Sequence, residues 1–168
     1  MGAGPMPATL PSTATRGARW AAAGIVVALV LTLDQGTKAL VRASIVPGQQ
    51  NDVLGPLSFV NVHNRGVAFG FLGGGGTLVL VVVLAALTLL LVYFARHADR
   101  PLLWLPTGLV LGGALGNLID RVHQGYVTDF VRFPHWPAFN VADIAITCGV
   151  LALVLVLELG QRAAPAPD

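Results

Sequence analysis

The sequence predicts an all-α integral membrane protein in which four transmembrane helices form a bundle and a small β-sheet lies on the membrane surface between the first two helices. The first observation is composition: 55% of the 168 residues are hydrophobic and 11% are charged, whereas soluble domains carry roughly 25% charged residues. The second is a set of four apolar runs of transmembrane length. The third is a polar segment, 43–76, that combines turn residues with β-formers.

Composition also excludes several classes of partner and of covalent framework. The formal charge is only +2, and no basic stripe with interleaved aromatic residues is present, so we expect no nucleic-acid partner. Cys148 is the single cysteine, which rules out an intrachain disulfide. Because it lies among apolar neighbours in the fourth run, we expect it to be a packing residue.

The first span is predicted at about 20–41, at the start of a single membrane-embedded domain that covers 16–160. Residues 1–15 are rich in Pro, Ala, Thr and Gly and are predicted to form a disordered tail. Arg16 and Arg19 precede the apolar run, which is also typical of a cleaved signal peptide. The run continues into polar residues without a small-residue cleavage site, so a membrane span is preferred.

An acid and a base lie inside this first span. Asp34 and Lys38 are four positions apart and therefore share one helix face. One interpretation is a simple ion pair that lowers the cost of both charges. The other is that the pair braces a polar site.

The segment that follows is predicted to form a small sheet, or cradle, on the membrane surface. Turn residues begin at Pro47, and 57–62 contains β-formers that predict a strand. The glycines at 73–76 are predicted to form a hinge before the second span.

The remaining spans are predicted at about 77–94, 102–119 and 141–159, with a short tail at 161–168. A charged turn separates the second span from the third, so these helices should run antiparallel. The third span has glycines at small-xxx-small spacing, which permits close helix approach.

An even number of spans puts both termini on one side and the polar residues at span ends on the other. Lysines and arginines near the span ends are equally numerous on both sides, so the positive-inside rule does not decide the orientation. The dense turn at Arg96 and Arg100 mildly favours cytoplasmic termini. The residues expected to gather on the opposite side are Asp34, Asn64, Asn117, Asp120, Arg121, Asp129, Asn140 and Asp143.

Two of these acids could form a catalytic pair. Asp129 lies in a short connection and Asp143 starts the fourth span, so a loop that folds back would bring their carboxyl groups together. Two like charges in a low-dielectric site cannot both ionise easily, and one pKa rises. One carboxylate then acts as a general base on water, while the protonated partner polarises a peptide carbonyl. The prediction is amide hydrolysis without a covalent enzyme intermediate.

The other polar groups allow two interpretations. Asn117, Asp120 and Arg121 can approach one helix face, and Asn140 and Asp143 have the same three-residue spacing. They could support a site, or they could form a buried network that locks the third helix to the fourth.

Metal and serine chemistry have no matching motif. No serine lies in a Gly-x-Ser-x-Gly elbow, and no histidines have zinc-protease spacing. We therefore expect no metal and no cofactor. His63, His123 and His135 are interpreted as surface-loop residues, with polar head groups as the alternative ligand.

Five blocks of the sequence, in order, resemble the lipoprotein signal peptidase (signal peptidase II) family. They are Asp-Gln-x-x-Lys at 34–38, Asn-x-Gly-x-Ala-Phe at 64–69, Gly-Asn-x-x-Asp-Arg at 116–121, Val-x-Asp-Phe at 127–130 and Phe-Asn-x-Ala-Asp at 139–143. The likeness covers about residues 20–160.

The resemblance implies a multi-pass aspartyl endopeptidase of the bacterial inner membrane, with cytoplasmic termini and an extracytoplasmic β-cradle. It would cut prolipoproteins before a cysteine that bears diacylglyceryl, as a monomer in contact with membrane lipid. Asp129 and Asp143 match the catalytic pair. The positions expected to support the site or hold substrate are Asp34, Lys38, Asn64, Gly66, Phe69, Asn117, Asp120, Arg121 and Asn140.

Two other functions remain as alternatives at this point. A small ion- or proton-coupled membrane carrier also uses intramembrane acids and bases, although carriers often contain an inverted repeat, and none is visible here. A non-enzymatic membrane scaffold would use the polar network only to join helices.

Overall fold

The computed structural model describes residues 13–66 and 75–162. Within these ranges the chain forms, in order, α1 (Thr13–Ser44), β1 (Gln50–Leu54), β2 (Leu57–Asn64), α2 (Gly75–Arg96), α3 (Trp104–Gln124), β3 (Val127–Arg132) and α4 (Val141–Arg162). The fold is therefore helical with a small antiparallel sheet.

The first helix begins earlier than expected. α1 starts at Thr13, so the disorder predicted for 1–15 is wrong for 13–15, while residues 1–12 lie outside the described ranges. Arg16 donates a hydrogen bond to the Ala95 carbonyl at 2.6 Å, and Arg19 donates one to the Ala98 carbonyl at 2.8 Å. These carbonyls lie at and just beyond the end of α2, where the helix has no N–H donors of its own to offer them. The first turns of α1 therefore hold the end of α2.

The later boundaries also extend past the predicted spans. Gly75 and Gly76 lie in the first turn of α2 rather than in a hinge, and Gly73 and Gly74 are outside the described ranges. α3 continues past Ile119 to Gln124. α4 includes the first two residues of the predicted tail, and 163–168 lie outside the described ranges.

The sheet has three antiparallel strands in the order β1-β2-β3. The strand predicted at 57–62 is confirmed as β2. The interpretation of Asp129 as part of a short connection is wrong, because it lies in β3 opposite Val62 of β2. β3 was missed because its partner strand is distant in sequence and local patterning carries no record of that pairing.

Glycines on α3 allow this helix to pack closely between α1 and α4. A Cβ added at Gly108 would lie 2.7 Å from the Cβ of Val26 on α1. A Cβ at Gly113 would overlap the Ala142 carbonyl oxygen and lie 2.8 Å from Ile146 on α4. Small residues at such contacts let helix backbones approach each other. α3 is therefore the central helix that fixes the start of α4.

Two helices in the described part of the chain are long and apolar enough to cross a membrane, Thr15–Ser44 and Val141–Leu159, and a shorter apolar helical segment covers Val81–Arg96. Their outward faces carry large exposed side chains such as Leu29, with 58% of its surface exposed, and Leu155, with 63%. Cys148 also lies on the exposed face of α4. The prediction that it packs in the interior is therefore wrong.

Candidate functional site

The two candidate acids come from different elements that meet at one end of the helices. Gly125, at φ 75°, ends α3 and donates its N–H to the Arg121 carbonyl; this left-handed cap turns the chain into β3, which carries Asp129. Asp143 lies in the first turn of α4. The strand β3 and the start of α4 thus present one carboxyl group each.

Asn140 connects the two carboxyl groups directly. Its Nδ2 donates to Asp129 Oδ1 at 2.7 Å, and its backbone N–H donates to Asp143 Oδ2 at 3.1 Å. Its Oδ1 accepts the backbone N–H of Asp143 at 3.0 Å, which completes a capping box at the start of α4. The residue that begins the helix therefore also fixes the spacing of the acids.

Each acid has a second asparagine donor. Asn64 Nδ2 donates to Asp129 Oδ2 at 2.9 Å, and Asn117 Nδ2 donates to Asp143 Oδ1 at 2.9 Å. The amide of Asn64 is oriented by Gly66, whose N–H donates to Asn64 Oδ1 at 2.8 Å. Gly66 has φ 71°, a conformation that favours glycine.

Burial dominates the electrostatics at Asp129. Only 2% of its surface is exposed, and this desolvation raises the pKa of Asp129 to about 6, with the nearby charge of Asp143 acting in the same direction. The hydrogen bonds from Asn64 and Asn140 and the charge of Lys38 oppose the rise. Burial therefore favours the protonated form of Asp129 more than it does for an aspartate in water.

A fully buried lysine lies behind the pair. Lys38 Nζ is 2.8 Å from Asp34 Oδ2 and 3.2 Å from Asp120 Oδ2, and all three side chains have no exposed surface. It also donates to Asn117 Oδ1 at 2.9 Å. Because a lysine can only donate, this contact directs the Asn117 amide nitrogen towards Asp143.

Asp34 takes part in both of the arrangements that the sequence allowed. It pairs with Lys38, and its Oδ1 also accepts the backbone N–H of Ala142 at 3.0 Å. That N–H is one of the first in α4 and has no partner within the helix. Asp34 thus joins α1 to the start of α4, beside Asp143.

Asp120 anchors the strand that carries Asp129. Its Oδ2 accepts the backbone N–H of Thr128 at 3.0 Å. Arg42 donates to Thr128 Oγ1 at 3.2 Å and lies 3.8 Å from Asp120 Oδ1. Gln35 donates to Asp120 Oδ1 at 3.3 Å.

Sequence reasoning missed Gln35, Arg42 and Thr128 in this network. Arg42 had a usable signal, since it lies one further helical turn from Asp34 and Lys38 on the same face. Gln35 stood out only as a polar residue beside Asp34. Thr128 acts partly through its backbone, so its identity carried no signal.

The remaining sequence candidates divide into one outward-facing residue and one outside the described ranges. Arg121 is exposed, and its guanidinium donates to the Asn117 carbonyl at 3.2 Å. It does not share the buried face of Asn117 and Asp120, so the expectation of one common face is wrong for Arg121. Phe69 lies outside the described ranges.

The histidines do not assemble with the acids. His63 stacks on Tyr126, with ring centroids 3.8 Å apart. In the described ranges, no group of three or more His, Cys, Asp or Glu side chains could hold a metal ion.

The sequence family described as signal peptidase (SPase) II matches residues 26–159. A protein named lipoprotein signal peptidase from Syntrophomonas wolfei is 46% identical over 136 residues, which cover 80% of this chain and 91% of the relative. One from Halothermothrix orenii is 40% identical, covering 79% of this chain and 92% of the relative. One from Nitratidesulfovibrio vulgaris is 43% identical, covering 84% and 89%.

Two solved structures, each described as a bacterial membrane enzyme, have a similar fold. The first has a TM-score of 0.76 at 30% identity and covers 80% of this chain and 91% of its own. The second has a TM-score of 0.77 at 28% identity and covers 87% and 93%. The likeness therefore extends over most of both chains.

Proposed function

This chain belongs to the signal peptidase II family, and from that premise we propose that Asp129 and Asp143 are the pair with which it cleaves lipoprotein signal peptides. Members of this family are bacterial membrane enzymes and aspartic-type proteases that act on prolipoproteins. The observation that carries the proposal is the double contact of Asn140, which donates to both carboxyl groups.

The surroundings of each acid suggest its role. Burial raises the pKa of Asp129 to about 6, which favours its protonated form, and we assign it the role of general acid. Asp143 accepts N–H groups from Asn117 and Asn140 at the start of α4. These contacts hold the Asp143 carboxyl group in a fixed position, and we assign it the role of general base.

Hydrolysis then proceeds in two steps, and each step includes two proton transfers. Asp143 takes a proton from water as the water oxygen attacks the peptide carbonyl carbon, and Asp129 gives its proton to the carbonyl oxygen. In the second step Asp143 returns its proton to the leaving nitrogen, Asp129 regains a proton from a hydroxyl of the tetrahedral intermediate, and the C–N bond breaks. No covalent bond to the enzyme forms, and both acids recover their starting states.

The buried groups around the pair act as supports. Lys38 orients Asn117, Asp34 holds the start of α4, and Asp120 holds β3. Asn64, with Gly66, orients the outer side of Asp129. Arg121 and Phe69 complete the proposed set as groups that contact substrate.

The substrate is a prolipoprotein whose cysteine after the cleavage site bears diacylglyceryl. Such a substrate has its acyl chains in the bilayer and its peptide at the surface, so it reaches the acids sideways between helices. The sheet then lies over the peptide, since β3 carries Asp129 and β2 carries Asn64. Both acids belong to one chain, so the site needs no second subunit, and a monomer is the form that we propose.

All four helices span the inner membrane, with both termini in the cytoplasm and the acids at the outer face. Support comes from the apolar outward faces of α1 and α4 and from the short connection between α2, which ends at Arg96, and α3, which begins at Trp104. α3 is less apolar because it is the central helix and carries Asn117 and Asp120 towards its neighbours.

The direct test is cleavage of a diacylglyceryl-modified precursor in detergent by Asp129→Asn and Asp143→Asn. Each substitution keeps the size of the side chain but removes its acid–base function, so product should fall below detection. Asp52→Asn is the matched control, because Asp52 is an exposed acid on β1 and should leave cleavage unchanged. Retained cleavage in either of the first two variants, with the protein normally inserted, would refute the assignment.

A further inference from the structure

The connection between β3 and α4 exposes large apolar side chains. We call residues 132–138 the aromatic loop. Residues 133–137 are all exposed, including Phe133 with 39% of its surface exposed and Trp136 with 66%. Apolar side chains grouped in this way at a surface usually mark a contact with another molecule or with a membrane.

The aromatic loop is held in place at its base. Phe139 forms backbone hydrogen bonds with Val131 in both directions, at 2.9 and 3.0 Å, and its carbonyl also accepts the Phe130 N–H at 3.0 Å. The Trp136 N–H donates to the Phe133 carbonyl at 3.2 Å. Phe133 also stacks on Phe139, with ring centroids 6.3 Å apart. The exposed rings are therefore presented by a fixed turn.

The apolar surface of this loop is separate from the acid pair. A hollow of about 390 Å³ is lined by Phe133, Pro134, Trp136 and Phe139. None of the asparagines that hold the carboxyl groups lines it. The hollow is thus a second feature of this end of the molecule, beside the site rather than within it.

The position of the loop along the chain indicates what covers it. α4, whose apolar face begins with the exposed Ile144, starts at Val141, directly after the loop. If α4 enters the outer leaflet there, as the proposed function requires, the loop lies at the level of the lipid head groups. Tryptophan is enriched at this level because its ring is apolar and its N–H is polar. Arg132 adds a positive charge suited to lipid phosphate.

We propose that the aromatic loop is a membrane-contact site in which Phe133 and Trp136 enter the head-group zone of the outer leaflet. This proposal rests on the proposed function for the side of the membrane on which the loop lies. The contact holds β3, and with it Asp129, at a fixed height above the bilayer. A lipid-anchored substrate also has its cleavage site at a fixed height above the bilayer. The loop therefore places Asp129 at the height of the cleavage site.

The test is quenching of Trp136 fluorescence by brominated phosphatidylcholine in vesicles. Trp20→Phe and Trp104→Phe leave Trp136 as the sole tryptophan, since the chain contains three. We expect roughly a twofold loss of emission with bromine near the head-group end of the acyl chain and less with bromine near the chain terminus, because interfacial rings sit at head-group level. Little quenching by any brominated lipid, with iodide quenching as strong as for free N-acetyltryptophanamide, would overturn the proposal.

Two further measurements cover the cases in which the double variant does not fold or the loop binds substrate lipid instead of the bilayer. If the double variant does not fold, the difference in quenching between the wild-type chain and Trp136→Phe gives the same measurement. If Trp136 is quenched only when a precursor with brominated acyl chains is added, the loop binds substrate lipid and the bilayer contact is refuted. Cleavage by the wild-type chain is measured separately, so failure of the loop proposal is distinguishable from failure of the proposed function.

Discussion

At the scale of single residues, asparagine side chains position the acid pair. An amide offers one acceptor and two donor hydrogens, so fixing its oxygen also aims its nitrogen. Gly66 fixes the oxygen of Asn64, and Lys38 fixes that of Asn117. Both nitrogens then point at carboxyl oxygens. Glutamine would place the same group one methylene further away and would not preserve this geometry.

The raised pKa of Asp129 predicts a pH-dependent rate. The proposed mechanism needs the Asp129 proton, which leaves as the pH passes about 6. Above this value kcat/KM of the free enzyme should fall by about tenfold per pH unit, as measured by initial rates on a lipidated precursor. Asp52→Asn should leave the profile unchanged. A rate that stays constant from about one pH unit below the pKa of Asp129 to about two units above it would contradict the acid role of Asp129.

The proton on Asp129 also makes the free energy of unfolding depend on pH. The native chain holds it up to about pH 6, whereas the unfolded chain releases it near the ordinary aspartate pKa of 3.8. The native state therefore binds more protons between these values, and its free energy of unfolding falls as the pH rises through them. Asp129→Asn should remove this part of the pH dependence in denaturation experiments.

Asn140 has two separable tasks, helix capping and support of Asp129. Asn140→Ser keeps a good capping residue but loses the Nδ2 donor to Asp129, while Asn140→Ala loses both. We expect kcat to fall by on the order of a hundredfold in each, because the acid is no longer held in position. Asn140→Ala should in addition be about 1 kcal/mol less stable than Asn140→Ser, as measured by denaturation. Wild-type cleavage by Asn140→Ser would show that the bridge does not position the acid.

At the scale of elements, the close approach of α3 to α4 sets where Asp143 lies. A methyl group at Gly113 would meet the Ala142 backbone, one residue before Asp143, and backbone cannot move aside as a flexible side chain can. Gly113→Ala should therefore cost about 1–3 kcal/mol and reduce cleavage in the fraction that stays folded.

Gly24→Ala is the matched control for this helix contact. Gly24 lies on α1 with open space around it, and alanine is the better helix former by up to about 1 kcal/mol. Its stability, measured by thermal unfolding in detergent, should be equal or higher. If Gly113→Ala proved as harmless as Gly24→Ala, close packing would not fix the start of α4.

Some of the secondary-structure elements and contacts could be predicted from the sequence, and others could not. The helices were predictable because apolar runs are local, and β2 was predictable because its β-formers are contiguous. β3 was missed because its partner lies before α2. The contact of Lys38 with Asn117 joins α1 to α3, and it could not be predicted from local spacing because the two residues are 79 positions apart. Asp129 and Asp143 were found as candidates because charged residues stand out in so apolar a chain.

At the scale of the whole molecule, the proposed four crossings predict which parts of the chain share a side of the membrane. Alkaline phosphatase, which is active only outside the cytoplasm, should be inactive when fused after Asp99 or at the carboxyl terminus and active when fused in the β1–β2 turn at Gly55. The fusion after Asp99 lies in the turn between α2 and α3 and serves as the control for a cytoplasmic position. An active carboxyl-terminal fusion would contradict four spans with cytoplasmic termini.

The arrangement of the acid pair has a consequence for biogenesis. Asp129 stands on β3, which pairs with β2, and Asp143 stands on α4, which follows β3 in the chain. If Asp129 and Asp143 are the catalytic pair, as proposed, a nascent chain that has formed β3 but not yet α4 carries only one member of the pair and has no proteolytic centre. Under the proposed assignment, the chain therefore stays inactive until α4 has packed beside β3, without any separate inhibitor.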